Sequence, residues 1–281
     1  MFEILLFPMI ELFLIGILSG IVGVLAILRS RIFFSESISH ATFPGAIIGV
    51  AIGNAVMSAR GNTDQGVLSL WLFAGAIVMC VLLSILMNML AKIPELSSQA
   101  SAGIILTFGF SLGYFLNKWF SPLPLNIESF LTGSLLHVNQ LDILVALCVL
   151  CLVVIVLALY GKKLIFYCFD SDAFAVARHN CAFAEMVILA IIVMTIVAMI
   201  PAVGTILSIA LLAAPAACVK PFVHSVNSFF IAAPICAVAI GMIGLFVAVC
   251  FNLSTGGSIA VLAGVCYFLS RCVCALRIFP Q

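Results

Sequence analysis

Residues 66–91 read GVLSLWLFAGAIVMCVLLSILMNMLA and contain no charged side chain. The hydrocarbon core of a bilayer is about 30 Å thick, and about 20 apolar helical residues cross it. Strands of a membrane barrel instead alternate apolar and polar side chains over about ten residues. This stretch does not alternate, so it predicts a membrane-spanning helix whose backbone groups are hydrogen-bonded within the helix itself.

The composition of the whole chain agrees with that local pattern. Hydrophobic residues make up 65% of the 281 positions and charged residues only 7%, with a mean hydropathy of +1.40. A soluble domain carries roughly 25% charged residues, because its surface faces water. The chain is therefore predicted to be an all-α polytopic integral membrane protein. Its net charge of +1, without a basic patch, gives no indication of a nucleic-acid partner.

Apolar stretches predict nine membrane-spanning helices. Their predicted ranges are 4–28, 32–54, 67–91, 99–117, 142–160, 183–200, 203–219, 226–250 and 256–276. The stretch from Met186 to Val219 has no charged residue and is too long for a single crossing. Pro201 and Gly204 lie near its middle, where a helix would break or turn. If that stretch crossed only once, the chain would have eight helices.

The distribution of basic residues favours nine helices over eight. Cytoplasmic loops of membrane proteins carry an excess of Lys and Arg. With nine helices, only Arg60 and Lys118 fall outside, and the other nine basic residues share the cytoplasmic side. With eight, Lys220, Arg271 and Arg277 change sides, and the distribution becomes six against five. The nine-helix topology predicts an external N-terminus and a cytoplasmic C-terminus, and no linker divides residues 1–281 into domains.

One pair of ionisable residues lies within a predicted span. Glu36 and His40 are four residues apart, so on a helix they share a face with Cβ atoms about 6 Å apart. Ionisable groups at membrane depth are costly and are functional candidates by default. A carboxylate and an imidazole suit divalent manganese, iron or zinc. Pro44 and Gly45 follow directly, and we expect them to break the helix and free backbone carbonyl groups.

Two other interpretations of this pair stay open. A Glu–His hydrogen bond could hold two helices together, or Arg29 or Arg31 could neutralise Glu36 at the membrane surface. Two ligands are also too few for a tight metal site. Water, or a second copy of the chain related by a two-fold axis, would have to complete the coordination.

Several motifs follow one another along almost the whole chain. Leu28-Arg29 precedes FSESISHATFPG at residues 34–45, IESFLTGSLL occupies residues 127–136, and VGTILSIALLAAPAA occupies residues 203–217. Together they resemble the permease subunits of ABC importers for zinc, manganese and iron, the ABC-3 metal permease family. The resemblance implies a single permease domain over residues 1–281, with Glu36 and His40 as metal ligands. The family usually has Asp where this chain has Glu36, which leaves the metal preference open.

A short polar segment resembles the part of this family that docks on its ATPase. Residues 172–175, Asp-Ala-Phe-Ala, are similar to the family's coupling helix, within a predicted cytoplasmic segment at 162–182. The resemblance implies coupling roles for Asp170, Asp172, Phe174, Ala175 and Arg178. The family normally has glycine four residues after the matched Ala175, where this chain has His179, so the local turn is left open.

The resemblance implies a set of partners and a transport path. They are a second copy of this subunit, cytoplasmic ATP-binding subunits, an extracytoplasmic metal-binding protein and the lipid of the cell membrane, the inner membrane where there are two. The transported ion would be manganese, zinc or iron, with no permanently bound cofactor. The residues interpreted as helix breaks along the path are Pro44, Gly45, Pro201, Gly204 and Pro215.

Two other classes of function are alternatives to the importer. The first is a secondary carrier driven by an ion gradient, with Glu36 and Glu185 relaying protons, since broken helices and intramembrane carboxylates suit it equally well. The second is an intramembrane enzyme, which needs a nucleophile or a chelating cluster that the sequence does not display. The chain also lacks a Gly-x-x-x-x-Gly-Lys-[Ser/Thr] phosphate loop. We therefore expect no catalytic residue and no ATP hydrolysis in this subunit.

Overall fold

The computed structural model describes residues 2–60, 65–90, 93, 97–121, 135 and 138–278. All regular secondary structure in these residues is helical. The helices are α1 (Phe2–Leu28), α2 (Ile32–Arg60), α3 (Gln65–Leu90), α4 (Ser98–Trp119), α5 (Gln140–Phe169), α6 (Ser171–Val176), α7 (Cys181–Val219), α8 (Val226–Phe251) and α9 (Thr255–Ile278). A 3-10 turn, Lys220–Phe222, follows α7.

The described residues contain nine helical stretches that are long and apolar enough to cross a membrane, as predicted. Helix α7 has 39 residues. At 1.5 Å per residue it would be about 58 Å long, roughly twice the thickness of a bilayer core. The backbone of Gly204, at φ 78° and ψ 170°, interrupts it, and two candidate spans, Cys181–Ile200 and Val203–Phe222, lie along this stretch. This stretch therefore contains two candidate membrane spans, as predicted.

The structure differs from the predicted helix breaks at two prolines. Helix α2 continues through Pro44 and Gly45, and α7 continues through Pro215, since its non-helical backbone is confined to Gly204. A proline removes only one backbone donor, and a membrane helix tolerates this where neighbouring groups compensate. Pro44 therefore leaves the His40 carbonyl without its helical donor but does not end the helix.

Helix α5 is longer than predicted. It ends at Phe169 rather than near residue 160, so Lys162 and Lys163 belong to the helix and not to a loop. Both lysines are exposed. Long lysine side chains can extend along an apolar surface while their charge stays in water, so they need not end a helix. The predicted segment at 162–182 is therefore helical in its first part, and only the short α6 and its flanking turns connect α5 to α7.

The chain forms two compact units, Met1–Ile32 with Gly133–Gln281, and Phe33–Thr132. In the first unit, α1 packs against α5, α7 and α8. Leu12 and Ile15 of α1 are fully buried in a core that also contains Met199, Leu211 and Ile240. This apolar packing holds α5 and α7, the two helices that flank α6.

In the second unit, α2 and α3 approach each other through glycines. A Cβ atom at Gly49 would collide with the carbonyl oxygen of Trp71, and one at Gly75 would collide with the carbonyl oxygen of Gly45. Small residues let membrane helices pack backbone against backbone, which strengthens van der Waals contact between them. Gly45 is therefore a packing residue of α2 and not the end of a helix.

Replacing Gly49 with alanine is expected to destabilise the second unit. The added methyl group meets a backbone oxygen, which cannot move without moving α3, and overpacking of this kind costs roughly 1–3 kcal/mol. The measurement is the thermal unfolding temperature of the purified chain in detergent. Gly103→Ala in α4 is the matched control, because nothing lies within 4 Å of its added Cβ. Equal unfolding temperatures for the two variants would contradict the packing assignment.

Candidate functional site

Helix α2 carries both predicted metal ligands in its first three turns. Glu36 and His40 are each partly exposed, and the Glu36 charge lies close enough to act electrostatically on His40. Around them, Ser35, Ser37 and Ser39 are fully buried. The predicted pair is thus formed on one helix.

The imidazole of His40 is held on one side by an aromatic ring. It packs edge-on against Phe110 of α4, with ring centroids 5.6 Å apart and planes at 85°. The Ser37 hydroxyl donates a 2.8 Å hydrogen bond to the carbonyl oxygen of Ala102, which fixes α2 against α4 nearby. His40 Nδ1 is buried and has no hydrogen-bond partner among the described residues. A buried polar atom without a partner is costly, so His40 presents an atom that a ligand could satisfy.

The pair does not form a complete metal site by itself. Within the part of the chain that the structure describes, no group of three or more His, Cys, Asp or Glu side chains is placed to hold a metal ion. The carbonyl oxygen of His40, which Pro44 leaves without its helical donor, is an additional oxygen beside the imidazole. Glu36 and His40 thus supply one carboxylate and one imidazole from the same helix, and their role as metal ligands stays a prediction.

The predicted coupling residues form a capped short helix. Asp170 is the N-cap of α6, and its Oδ1 atom accepts hydrogen bonds from the backbone N–H groups of Asp172 (3.1 Å) and Ala173 (2.8 Å). Phe174 is buried, with 3% of its surface exposed. Ala175 and the three residues that follow it are exposed. The outer face of α6, and not the Phe174 side chain, is available to a partner.

The end of α6 explains why His179 can replace the family's glycine. The His179 N–H donates to the Phe174 carbonyl (3.3 Å) and the Arg178 N–H donates to the Ala175 carbonyl (2.9 Å). This is a Schellman motif, in which the residue after the helix takes the left-handed conformation. Here that residue is Arg178, at φ 57°, so His179 is not the strained position. The His179 ring instead packs on Phe174, with centroids 4.8 Å apart.

Arg178→Gly is expected to stabilise this turn relative to Arg178→Ala. Both variants lose the charge, but only glycine relieves the left-handed conformation, which costs a residue with a Cβ atom about 1 kcal/mol. We expect the unfolding temperature of the glycine variant to exceed that of the alanine variant by about 2–4 °C. Thermal unfolding of both purified variants measures the difference. An alanine variant as stable as the glycine variant would show that Arg178 is not strained.

The sequence did not reveal a cluster of charged residues in the first unit, near the junction of α1 and α2. Glu185 of α7 accepts hydrogen bonds from Arg29 Nε (3.0 Å), Arg31 Nη2 (2.5 Å) and the Tyr167 hydroxyl (2.8 Å). Burial opposes the charged form of Arg29, but the Glu185 carboxylate outweighs it and raises the pKa of Arg29 above its ordinary value. The carrier hypothesis needs Glu185 to relay protons. Two arginines that hold the carboxylate as an ion pair disfavour that role.

Glu11 faces the interior of the first unit. Its side chain is fully buried, neither carboxylate oxygen has a hydrogen-bond partner among the described residues, and the nearby Asp142 acts on it electrostatically.

The structure places the other predicted helix-break residues as follows. Gly204 forms the break in α7, and Pro215 is buried within that helix. The side chain of Pro201 and most of the motif at residues 127–136 lie outside the described residues.

The amino-acid sequence of this chain matches a known family of membrane transporters. Residues 1–274 match the ABC 3 transport family. The chain belongs to that family. The chain is similar to the manganese import system permease protein ScaB of Streptococcus gordonii, with 25% identity over 262 residues, which cover 93% of this chain and 88% of that protein.

Two further proteins extend the comparison of this ABC 3 family chain. The zinc transport system membrane protein TroC of Treponema pallidum is 29% identical over 217 residues, which cover 76% of this chain and 69% of TroC. The solved structure of PsaBC from Streptococcus pneumoniae in complex with Fab aligns with a TM-score of 0.79 and 25% identity. The alignment covers 95% of this chain and 90% of that one. The resemblance predicted from the motifs, and the helical permease fold it implies, are confirmed.

Proposed function

We propose that this chain is the membrane permease subunit of an importer that moves a divalent transition metal, manganese or zinc, into the cell. Membership of the ABC 3 transport family and the names of two relatives, one a manganese and one a zinc permease, support the proposal. Its single strongest structural support is the His40 Nδ1 atom, buried without a partner beside Glu36. Iron, which the motif resemblance also suggested, appears in neither of those names.

In this proposal Glu36 and His40 bind the ion as it crosses. Carboxylate and imidazole ligands accept several divalent metals, and raw affinity follows the metal more than the site. An open two-ligand site also suits transport, because an ion held by a closed set of protein ligands would be released slowly. A second copy of the chain, contributing its own pair, would complete the coordination.

In this proposal the energy for metal transport comes from separate subunits. We propose that cytoplasmic ATP-binding subunits dock on the exposed face of α6, around Ala175 and Arg178, and that an extracytoplasmic protein delivers the metal. The N-terminus then lies outside and the C-terminus in the cytoplasm, as the distribution of basic residues predicts. The protein resides in the cell membrane, the inner membrane where two are present.

Co-purification and uptake test this function together. We expect an ATP-binding subunit to co-purify with the tagged chain from its native membranes. We also expect Mn²⁺ or Zn²⁺ uptake by the cells to require both this chain and ATP. Uptake that survives ATP depletion, together with the absence of any co-purifying ATPase, would refute the importer and support a gradient-driven carrier.

A further inference from the structure

Phe174 anchors the short α6 helix to α5. Its ring lies 5.3 Å from the ring of Tyr167 and 5.6 Å from that of Phe166, measured between centroids. Only 3% of Phe174 and 4% of Tyr167 are exposed. Because packed interiors are dense and barely compressible, a displacement of α6 that moves Phe174 must also move Tyr167.

Tyr167 is joined in turn to a partly buried ion pair. Its hydroxyl donates to Glu185 Oε2 (2.8 Å) and accepts from Arg29 Nη2 (2.7 Å). The guanidinium carbon of Arg29 also lies 4.3 Å from the centre of the Tyr167 ring, as in a cation–π contact. One hydroxyl therefore bridges the acid and the base, and the ring beneath it holds the base in place.

The same ion pair fixes the turn between α1 and α2. Ser30 takes the left-handed conformation, with φ at 55°. The Ser30 N–H donates to the Ile27 carbonyl, and the Arg31 N–H donates to the Ala26 carbonyl (2.8 Å). This Schellman motif holds the backbone of the turn. Arg31 also donates from Nη2 to Glu185 Oε1. Backbone and side chain together fix Arg31, and α2, which carries Glu36, begins at the next residue.

We define the linkage cluster as Arg29, Arg31, Tyr167 and Glu185. It places two positive charges around one carboxylate. Each arginine side chain is about one-fifth exposed, and the Glu185 side chain is 17% exposed. Removing one partner from a buried charge pair leaves the other charge uncompensated, so such clusters keep a defined arrangement. A cluster of this kind transmits a displacement instead of absorbing it.

We propose that the linkage cluster connects the α6 docking helix to the start of α2, so that movement of α6 by the ATPase repositions the helix that carries Glu36 and His40. This proposal rests on the proposed function and deepens it by assigning positioning roles to four residues that do not touch the metal. The path runs from Phe174 to Tyr167, then through Arg29 and Glu185 to Arg31. Each step is a contact within the first unit, and the last is the covalent connection of Arg31 to α2.

Tyr167→Phe tests the linkage cluster with the smallest change. It removes the bridging hydroxyl but keeps the ring against Phe174 and Arg29. The variant complex, isolated with its ATPase subunits and placed in liposomes, is assayed for Mn²⁺ and Zn²⁺ transported per ATP hydrolysed. We expect this ratio to fall about tenfold, in the range of typical coupling free energies, while ATP hydrolysis continues. A residue with only a structural role would lower both rates together and leave the ratio unchanged.

Tyr160→Phe is the matched control. Tyr160 is on the same helix, is 41% exposed, and its ring contacts Phe183 and not the linkage cluster. Its ratio should equal that of the wild type. If the Tyr167 variant does not assemble, Arg31→Lys replaces it, since lysine keeps the charge of the turn but not the geometry of the guanidinium group. We expect the same fall in the ratio.

The outcomes separate this proposal from the one on which it rests. A wild-type complex without ATP-dependent uptake of either metal would refute the importer itself. A wild-type complex that transports metal, together with an unchanged ratio in whichever cluster variant assembles, would overturn the linkage alone. A lower ratio in the cluster variant and a wild-type ratio in Tyr160→Phe would support it.

Discussion

Replacing His40 with alanine is expected to lower metal uptake by at least about tenfold. Substitutions of residues that only support a metal ligand typically lower metal affinity or activity by about 10–100-fold, and loss of a ligand should cost at least as much. His40 is the one imidazole on α2, and its buried Nδ1 atom has no partner among the described residues. Glu36→Gln should have a similar effect, because the amide keeps the size of the side chain and loses the charge that attracts a cation.

The measurement is the initial rate of Mn²⁺ or Zn²⁺ uptake by the assembled transporter, corrected for the amount of protein in the membrane. His224→Ala is the matched control, because His224 is exposed and lies outside the candidate site. Glu36→Asp adds a second comparison, since it introduces the carboxylate that the family usually has. It should retain transport and change the relative rates of the two metals. Wild-type uptake in both His40→Ala and Glu36→Gln would refute the site and leave the family assignment intact.

Gly204→Val is expected to destabilise the first unit strongly. The backbone at φ 78° and ψ 170° is in a region that is essentially restricted to glycine. A β-branched residue there is a severe outlier, so we expect a cost of about 3 kcal/mol or more. The Ser208 hydroxyl donates a 2.6 Å hydrogen bond to the Gly204 carbonyl, which holds this conformation in place.

Thermal unfolding and yield in the membrane measure this effect. The same substitution at Gly264 is the control, because Gly264 lies in α9 and nothing is within 4 Å of its added Cβ. We expect the Gly264 variant to unfold near the wild-type temperature and the Gly204 variant to unfold several degrees lower or fail to accumulate. Similar behaviour of the two would mean that α7 can pass this point without a glycine.

The number of spans could be predicted because charge is scarce in this chain. Met186 to Val219 contains no charged residue, and its length, Pro201 and Gly204 near its middle, and the side on which distant lysines and arginines fall all indicate two crossings there. The structure supplies the local cause, a single glycine with positive φ. Pattern analysis failed at Pro44, because the penalty for a proline depends on whether neighbouring groups compensate for one lost hydrogen bond, and sequence does not show those neighbours.

The candidate site was predictable in part for a similar reason. Glu36 and His40 are four residues apart, and helical spacing alone brings them together. The linkage cluster was not predictable, because Arg29 and Glu185 are 156 positions apart and no periodicity relates them. Arg178 is an intermediate case. The departure from the family's glycine was visible at His179, but only the hydrogen bonds show that the left-handed residue is the one before it.

The break in α7 has a practical consequence for mapping the topology. Its two candidate spans are separated only by Pro201 and Ala202. A reporter inserted at so short a connection would push two helices apart. Insertion scanning therefore has no usable position between the two candidate spans and would count them as one. Fusions after α8 and α9, read separately, would give the true orientation.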